Sequence, residues 1–268
     1  MTGAQKAALG TLVAIFIAAA GANILAPASY ETQFRESPNA PPSHRFLMGT
    51  DDLGRDRLSR LLYGSRISLA LAPAAALLAT ALAAVTGAAA GLLGRRWERV
   101  FLGITDLSLS LPWLFFLMTV RALLPLDVAP ILSATITFLL LGLLGWAGPA
   151  RVVRAAVVTL RQSEFVLQAR ASGCAGFRLL RVHLLPNLRP ILFTQFLVSI
   201  PVFILSEANL GLLGLGVTEP MPSWGSLLRE LERFSEVQAN PWLLAPAGLL
   251  AVVVICFQLV APREDFVA

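Results

Sequence analysis

Six long runs of mostly apolar residues dominate this chain and leave few folds open to it. They are Ala7–Ala26, Ser68–Gly94, Val100–Leu124, Ala129–Pro149, Ile191–Gly216 and Pro241–Ala261. Each is near or above the roughly 20 residues that a helix needs to cross a bilayer. The runs are continuous rather than alternating, which excludes the strands of a membrane β-barrel. Charged residues make up 14% of the chain, against about 25% in soluble domains. That is too little polar surface to enclose so much apolar material in water. The expected fold is an all-α integral membrane protein with about six transmembrane helices.

Positive charge orients the spans. The segment 151–190 carries seven Arg, from Arg151 to Arg189, and Lys6, Arg95, Arg96, Arg99 and Arg263 fall on the same side. The positive-inside tendency then predicts that both termini are cytoplasmic. The opposing evidence is the loop Pro27–Ile67, expected outside, which holds six Arg. The net charge of +5 is thus read as topology rather than nucleic-acid contact. Lys6, the first apolar run and Ala20-Gly21-Ala22 resemble a cleaved signal peptide, but the run reaches Ala26 and is long enough to span. An uncleaved first helix is expected.

One polar stretch interrupts the apolar pattern with a pattern of its own. Glu164 to Asn187 reads EFVLQARASGCAGFRLLRVHLLPN. Arg170, Arg178 and Arg181 alternate with apolar residues, and Phe177, Leu180 and Leu184 share one helical face. Gly173 can turn the chain sharply, and Pro186 is expected to end the second of two short helices. Such an element fits either a groove on a partner protein or the lipid headgroups.

Two further stretches complete a pattern. Met48–Arg66 reads MGTDDLGRDRLSRLLYGSR, and Glu207–Gly216 reads EANLGLLGLG, followed by Pro222-Ser223-Trp224-Gly225. With the polar stretch between them, these closely resemble the inner-membrane permease subunit of ATP-binding-cassette importers for dipeptides, oligopeptides and nickel, more narrowly the second of the two permeases. The resemblance runs from about Pro42 to about Leu259. It implies partners: a second homologous permease, two ATPase subunits and an extracytoplasmic substrate-binding protein, in a bacterial inner membrane. It implies no cofactor on this chain, with ATP and Mg on the ATPases. Cargo would be peptides, or a related solute such as a nickel chelate.

The resemblance also assigns residues. The ATPase-coupling loop would use Glu164, Leu167, Gln168, Ala169, Arg170, Gly173, Phe177, Leu180, His183, Leu185 and Pro186. Gly173 and Leu185-Pro186 stand at the family spacing. Leu167, Gln168 and Ala169 replace the family's Glu-Ala-Ala, and only Ala169 matches. The outer motif would be Gly49, Thr50, Asp51, Asp52, Gly54, Arg55 and Asp56, preceding an interfacial helix that Thr50 or Asp51 would cap. Residues 1–66 are thus expected to hold the first helix, outer loop and interfacial helix, and 67–268 the permease domain.

Ionisable residues within apolar runs point to function or to bundle packing. Asp106 and Glu207 are such residues, without a charged partner in the apolar blocks, and Asn209 lies beside the second. Small residues at Gly87 to Gly91 suit close helix packing, within the chain or between subunits. Cys174 and Cys256 form no metal motif, and neither HExxH nor GxxxxGK[ST] occurs. No catalytic or metal site is expected. Two rival readings are an ion-coupled secondary transporter, which predicts paired charges at mid-membrane, and a membrane scaffold without transport.

Overall fold

In the computed structural model, residues 2–123, 129–174, 176–232, 237–238 and 240–261 are described, save the side chains of Trp113 and Phe177. They form helices joined by loops, with two isolated β-bridges, Gln33 to Arg55 and Thr50 to Asp56. The helices are α1 Gly3–Ala20, α2 Ala22–Leu25, α3 Arg57–Leu92, α4 Arg95–Ser110, α5 Trp113–Leu123, α6 Pro130–Leu144, α7 Ala147–Arg161, α8 Glu164–Ala171, α9 Gly176–Leu179, α10 Leu185–Leu212, α11 Trp224–Arg229 and α12 Ala245–Val260. Five stretches among them are long and apolar enough to cross a membrane, and α4 with α5 makes a sixth if that bent pair is one span. The six apolar runs of the sequence are all found, but four of them differ in detail.

The second span starts early. α3 is 36 residues long and absorbs the interfacial helix, so the division expected at 66/67 falls inside it. Its N-cap is Asp56, not Thr50 or Asp51. The Asp56 carboxylate accepts the Ser59 N–H at 2.7 Å and the Ser59 hydroxyl at 2.6 Å. Asp56 takes this place because the β-bridge to Thr50 holds it extended (ψ 120°) just ahead of the helix, as an N-cap requires.

The third run is not one straight helix. Leu111 is extended (ψ 129°), as the residue before a proline prefers. α4 and α5 therefore meet across Pro112 at an angle of 72°. Leu124, the last residue of that run, lies outside the described residues. The fourth run continues through a turn at Gly145-Trp146 into α7, so Arg151, Arg154 and Arg161 sit on a helix rather than in a loop. α7 lies along α3. A Cβ on Gly87 would stand 2.4 Å from the Ala150 carbonyl oxygen, and one on Gly91 2.7 Å from Val157. The small residues of α3 thus serve packing within the chain.

Pro186 does not end a helix. It stands in the first turn of α10, which continues a π-helical turn over Leu180–Leu184. The Leu185 N–H donates to the Leu180 carbonyl. The wider turn admits a ring that has no N–H to give and would crowd an α-helical turn. The main core lies where α3, α6, α10, α11, α12 and α1 meet, around Leu69, Phe138, Ile204 and Trp224.

Candidate functional site

Two regions at opposite ends of α3 hold nearly all of the residues singled out in the sequence. At the Leu92 end lies the polar stretch. α8 closes on Gly173 at φ +80°. The Cys174 N–H returns to the Ala169 carbonyl and the Gly173 N–H to the Arg170 carbonyl, both at 2.9 Å. This pair of bonds is the Schellman closure, which needs a left-handed residue. Val166, Ala169, Leu179 and Leu184 turn inward, against Leu92 and Leu160. The face expected to meet a partner is therefore partly used up inside: Leu184 is buried and Leu180 half-buried, packed with Val166 and Ala169 of α8. The Phe177 side chain lies outside the described set. Outward stand Glu164, Phe165, Leu167, Gln168, Arg170, Arg178, Arg181, Val182, Leu185 and Pro186, with His183 half-buried. Ala169, the residue that keeps the family pattern, is buried, while Leu167 and Gln168, which depart from it, are exposed.

At the Arg57 end the chain from Gln33 to Asp56 ties a compact knot. Gly54 (φ +75°) is required there, since a Cβ would stand 2.3 Å from the Phe34 carbonyl oxygen. Asp51 accepts the N–H groups of Leu53 and Arg55 at 3.0 and 2.8 Å. Thr50 accepts the Ala40 N–H at 2.8 Å and donates to the Ser37 carbonyl at 2.5 Å. Asp51 also pairs with the Arg55 and Arg60 side chains at 2.6 and 3.3 Å, and both guanidinium groups reach Glu219 at 2.6 and 2.9 Å. These arginines are buried and paired, not spread at an interface. A polar cavity of about 450 Å³ opens beside them, lined in part by Asp52, Arg55, Arg57 and Glu219.

Between these regions, Glu207 is fully buried in α10. It accepts the Ser223 hydroxyl at 2.6 Å, the Gly225 N–H at 3.3 Å and the Ser68 hydroxyl at 3.5 Å. Trp224 donates its indole N–H to Ser65 at 2.9 Å. Glu207 thereby seats the Pro222–Gly225 stretch on α3 and α10. Asp106 sits far from this cluster, exposed on α4, and pairs with Arg151 of α7. Asn209 is exposed on α10.

The sequence profile of the binding-protein-dependent transport system inner membrane component family matches residues 58–262. The chain belongs to that family. It is a multi-pass inner-membrane permease subunit. The chain is 32% identical over 254 residues to the dipeptide transport system permease protein DppC of Bacillus subtilis, covering 94% of this chain and 77% of that one. It is 32% identical over 251 residues to OppC, the oligopeptide transport system permease protein of the same organism, covering 93% and 79%. OppC of Mycobacterium bovis is 32% identical over 261 residues, covering 96% and 86%.

The permease also uses Glu219 and Arg121, which the sequence motifs alone do not single out. Arg60 and Glu219 complete the knot although they lie 159 positions apart, and no local pattern joins them. Arg121 is a buried cation within the third apolar run, the same signal that singled out Asp106 and Glu207.

Glu219 gives the knot a pH dependence. Burial raises its pKa, but the Arg60 and Arg55 guanidinium groups outweigh that and hold it below its ordinary 4.5. An acid with a lowered folded pKa stabilises fully above its ordinary value and loses that contribution as pH falls through the lowered one. Glu230 works the other way, because burial lifts its pKa despite Arg57. The thermal midpoint of the detergent-solubilised permease is therefore expected to drop as pH falls below 4.5. Glu219→Gln should remove that drop and leave the opposing Glu230 contribution, which raises the midpoint as pH falls. An identical pH profile in wild type and variant would contradict the assignment.

Proposed function

We propose that this permease carries peptides, or a related small solute such as a nickel chelate, inward across the bacterial inner membrane. Two ATPase subunits would grip the α8–α9 loop, a second homologous permease would enclose the pathway, and an extracytoplasmic binding protein would deliver cargo near the knot. Both termini and the α8–α9 loop would then be cytoplasmic. ATP and Mg would bind the partner subunits, and this chain would neither hydrolyse ATP nor alter its cargo chemically. The observation that carries the reading is the loop itself. A glycine held at positive φ fixes two short helices, and their outward face keeps Phe165, Leu167 and Val182 half exposed among Arg170, Arg178 and Arg181. Exposed apolar residues ringed by cations fit an anionic, grooved protein surface.

Mild-detergent purification of the tagged chain from its native membrane, with mass spectrometry of what accompanies it, tests this. A second six-helix permease and one or two ATPases are expected. A chain recovered alone would favour a self-contained transporter or a scaffold, and the loop would then be a headgroup-level helix. Uptake of labelled peptides and of nickel into vesicles holding the recovered complex would decide between the two cargo classes.

A further inference from the structure

Arg121 stands out once Glu207 is accounted for. It is 9% exposed, and no acid pairs with it among the described residues. A buried cation without a counterion is unstable unless its donors are satisfied. Here backbone carbonyls satisfy them. Nε donates to Leu215 O at 2.9 Å, Nη1 to Ser133 O at 3.5 Å, and Nη2 to Gly216 O. Leu215 and Gly216 follow the end of α10, where the negative end of the helix dipole favours a positive charge.

Glu207 lies beside the same turn, bonded to Ser223, Gly225 and Ser68. A Cβ on Gly216 would lie 2.7 Å from Gly211 Cα and 3.7 Å from the Glu207 carboxylate. The Arg121 guanidinium and the Glu207 carboxyl group are therefore each satisfied without touching the other, Arg121 by the turn after α10 and Glu207 by Ser223, Gly225 and Ser68. The consequence is greatest for α5. The break at Pro112 separates it from α4, and its packing is chiefly on α6. Leu117 and Arg121, one turn apart on α5, are its buried residues among those described.

We propose that Arg121 is a positioning residue for transport, fastening α5 to the turn after α10 so that α5, α10 and α11 move as one body. The inference rests on the importer reading above. It is tested in the full complex, with permeases, ATPases and binding protein, in lipid nanodiscs and in vesicles. Arg121→Gln is expected to assemble and hydrolyse ATP, but to consume about tenfold more ATP per solute imported, the scale of one lost buried charge-assisted bond. Arg121→Lys, which keeps the charge but not the planar fork, should recover part of the coupling. Spin labels at Thr119→Cys and Arg229→Cys, with Cys174 and Cys256 replaced by serine, should report a narrow distance distribution that broadens in Arg121→Gln. An unchanged ATP ratio together with an unchanged distribution overturns the proposal. Failure of both Arg121 variants to assemble also overturns it, since the residue would then serve folding alone. If the wild-type complex shows no ATP-driven uptake, the importer reading falls, while the label distances still decide whether Arg121 does the fastening.

Discussion

Gly211→Ala is expected to deny the subunit its packed core beside Glu207. The Cβ it adds would stand 2.2 Å from both the Cα and the carbonyl carbon of Gly225. These are backbone atoms of a segment already pinned by Glu207, Ser68 and Ser65, so no side chain can swing away. Overpacking a tight core costs about 1–3 kcal/mol where neighbours can shift, and here the cost should lie at or above that range. Yield of monodisperse protein in detergent should collapse, and any recovered fraction should melt well below wild type. Gly148→Ala is the matched control. It lies in α7 with nothing within 4 Å of its added Cβ and should be neutral or slightly stabilising, as alanine is in a helix. Equal behaviour of the two variants would mean that α10 and α11 are not in contact at this point.

Gly173 calls for a different experiment, because space is not the constraint there. Nothing lies within 4 Å of an added Cβ, and the requirement is φ +80° alone. A β-branched residue is a strained outlier in that region, whereas asparagine enters it readily. Under the importer reading, Gly173→Val should reduce uptake by about 5- to 30-fold, the effect of a strain near 1–2 kcal/mol at the hinge. Insertion and ATP hydrolysis should persist. Gly173→Ala should fall between, and Gly173→Asn should stay near wild type. That ordering follows backbone tolerance rather than size. If Asn were as damaging as Val, the position would be a contact surface instead of a hinge. Normal uptake in Gly173→Val would remove the hinge from the mechanism.

Much of this was legible in the residues. Apolar runs of membrane length report helices directly, and the six runs are all present. Their ends were less legible, for reasons specific to each. Arg57 and Arg60 read as interfacial because they are charged. Arg60 is instead buried and Arg57 half-buried, because Glu219, Asp51 and Glu230 supply counter-charges, and two of those acids lie far away along the chain. The helical spacing of Phe177, Leu180 and Leu184 was plain, but periodicity does not say which side of a helix faces its own protein. Val166 and Leu160 needed cover, and Leu184 supplied it. Asp106 lacked a partner only within the apolar runs. The helical extension that carries Arg151 to it became visible with the fold. Arg121 carries the same signal as Asp106 and Glu207, an ionisable residue within an apolar run.

The union of the π-turn and α10 has a mechanical consequence. From Leu180 to Leu212 the helix runs for 33 residues without a loop, a rod of about 50 Å at 1.5 Å per residue. One end is in the α8–α9 loop and the other carries Glu207. A tilt of about 5° imposed at the loop would sweep Glu207 through roughly 3.5 Å, since it lies about 40 Å along the axis. Two prolines, Pro190 and Pro201, remove hydrogen bonds along the way and are where such a rod yields first. The gearing between the two ends is thus set by where it yields: each bend at a proline subtracts from the sweep delivered at the far end.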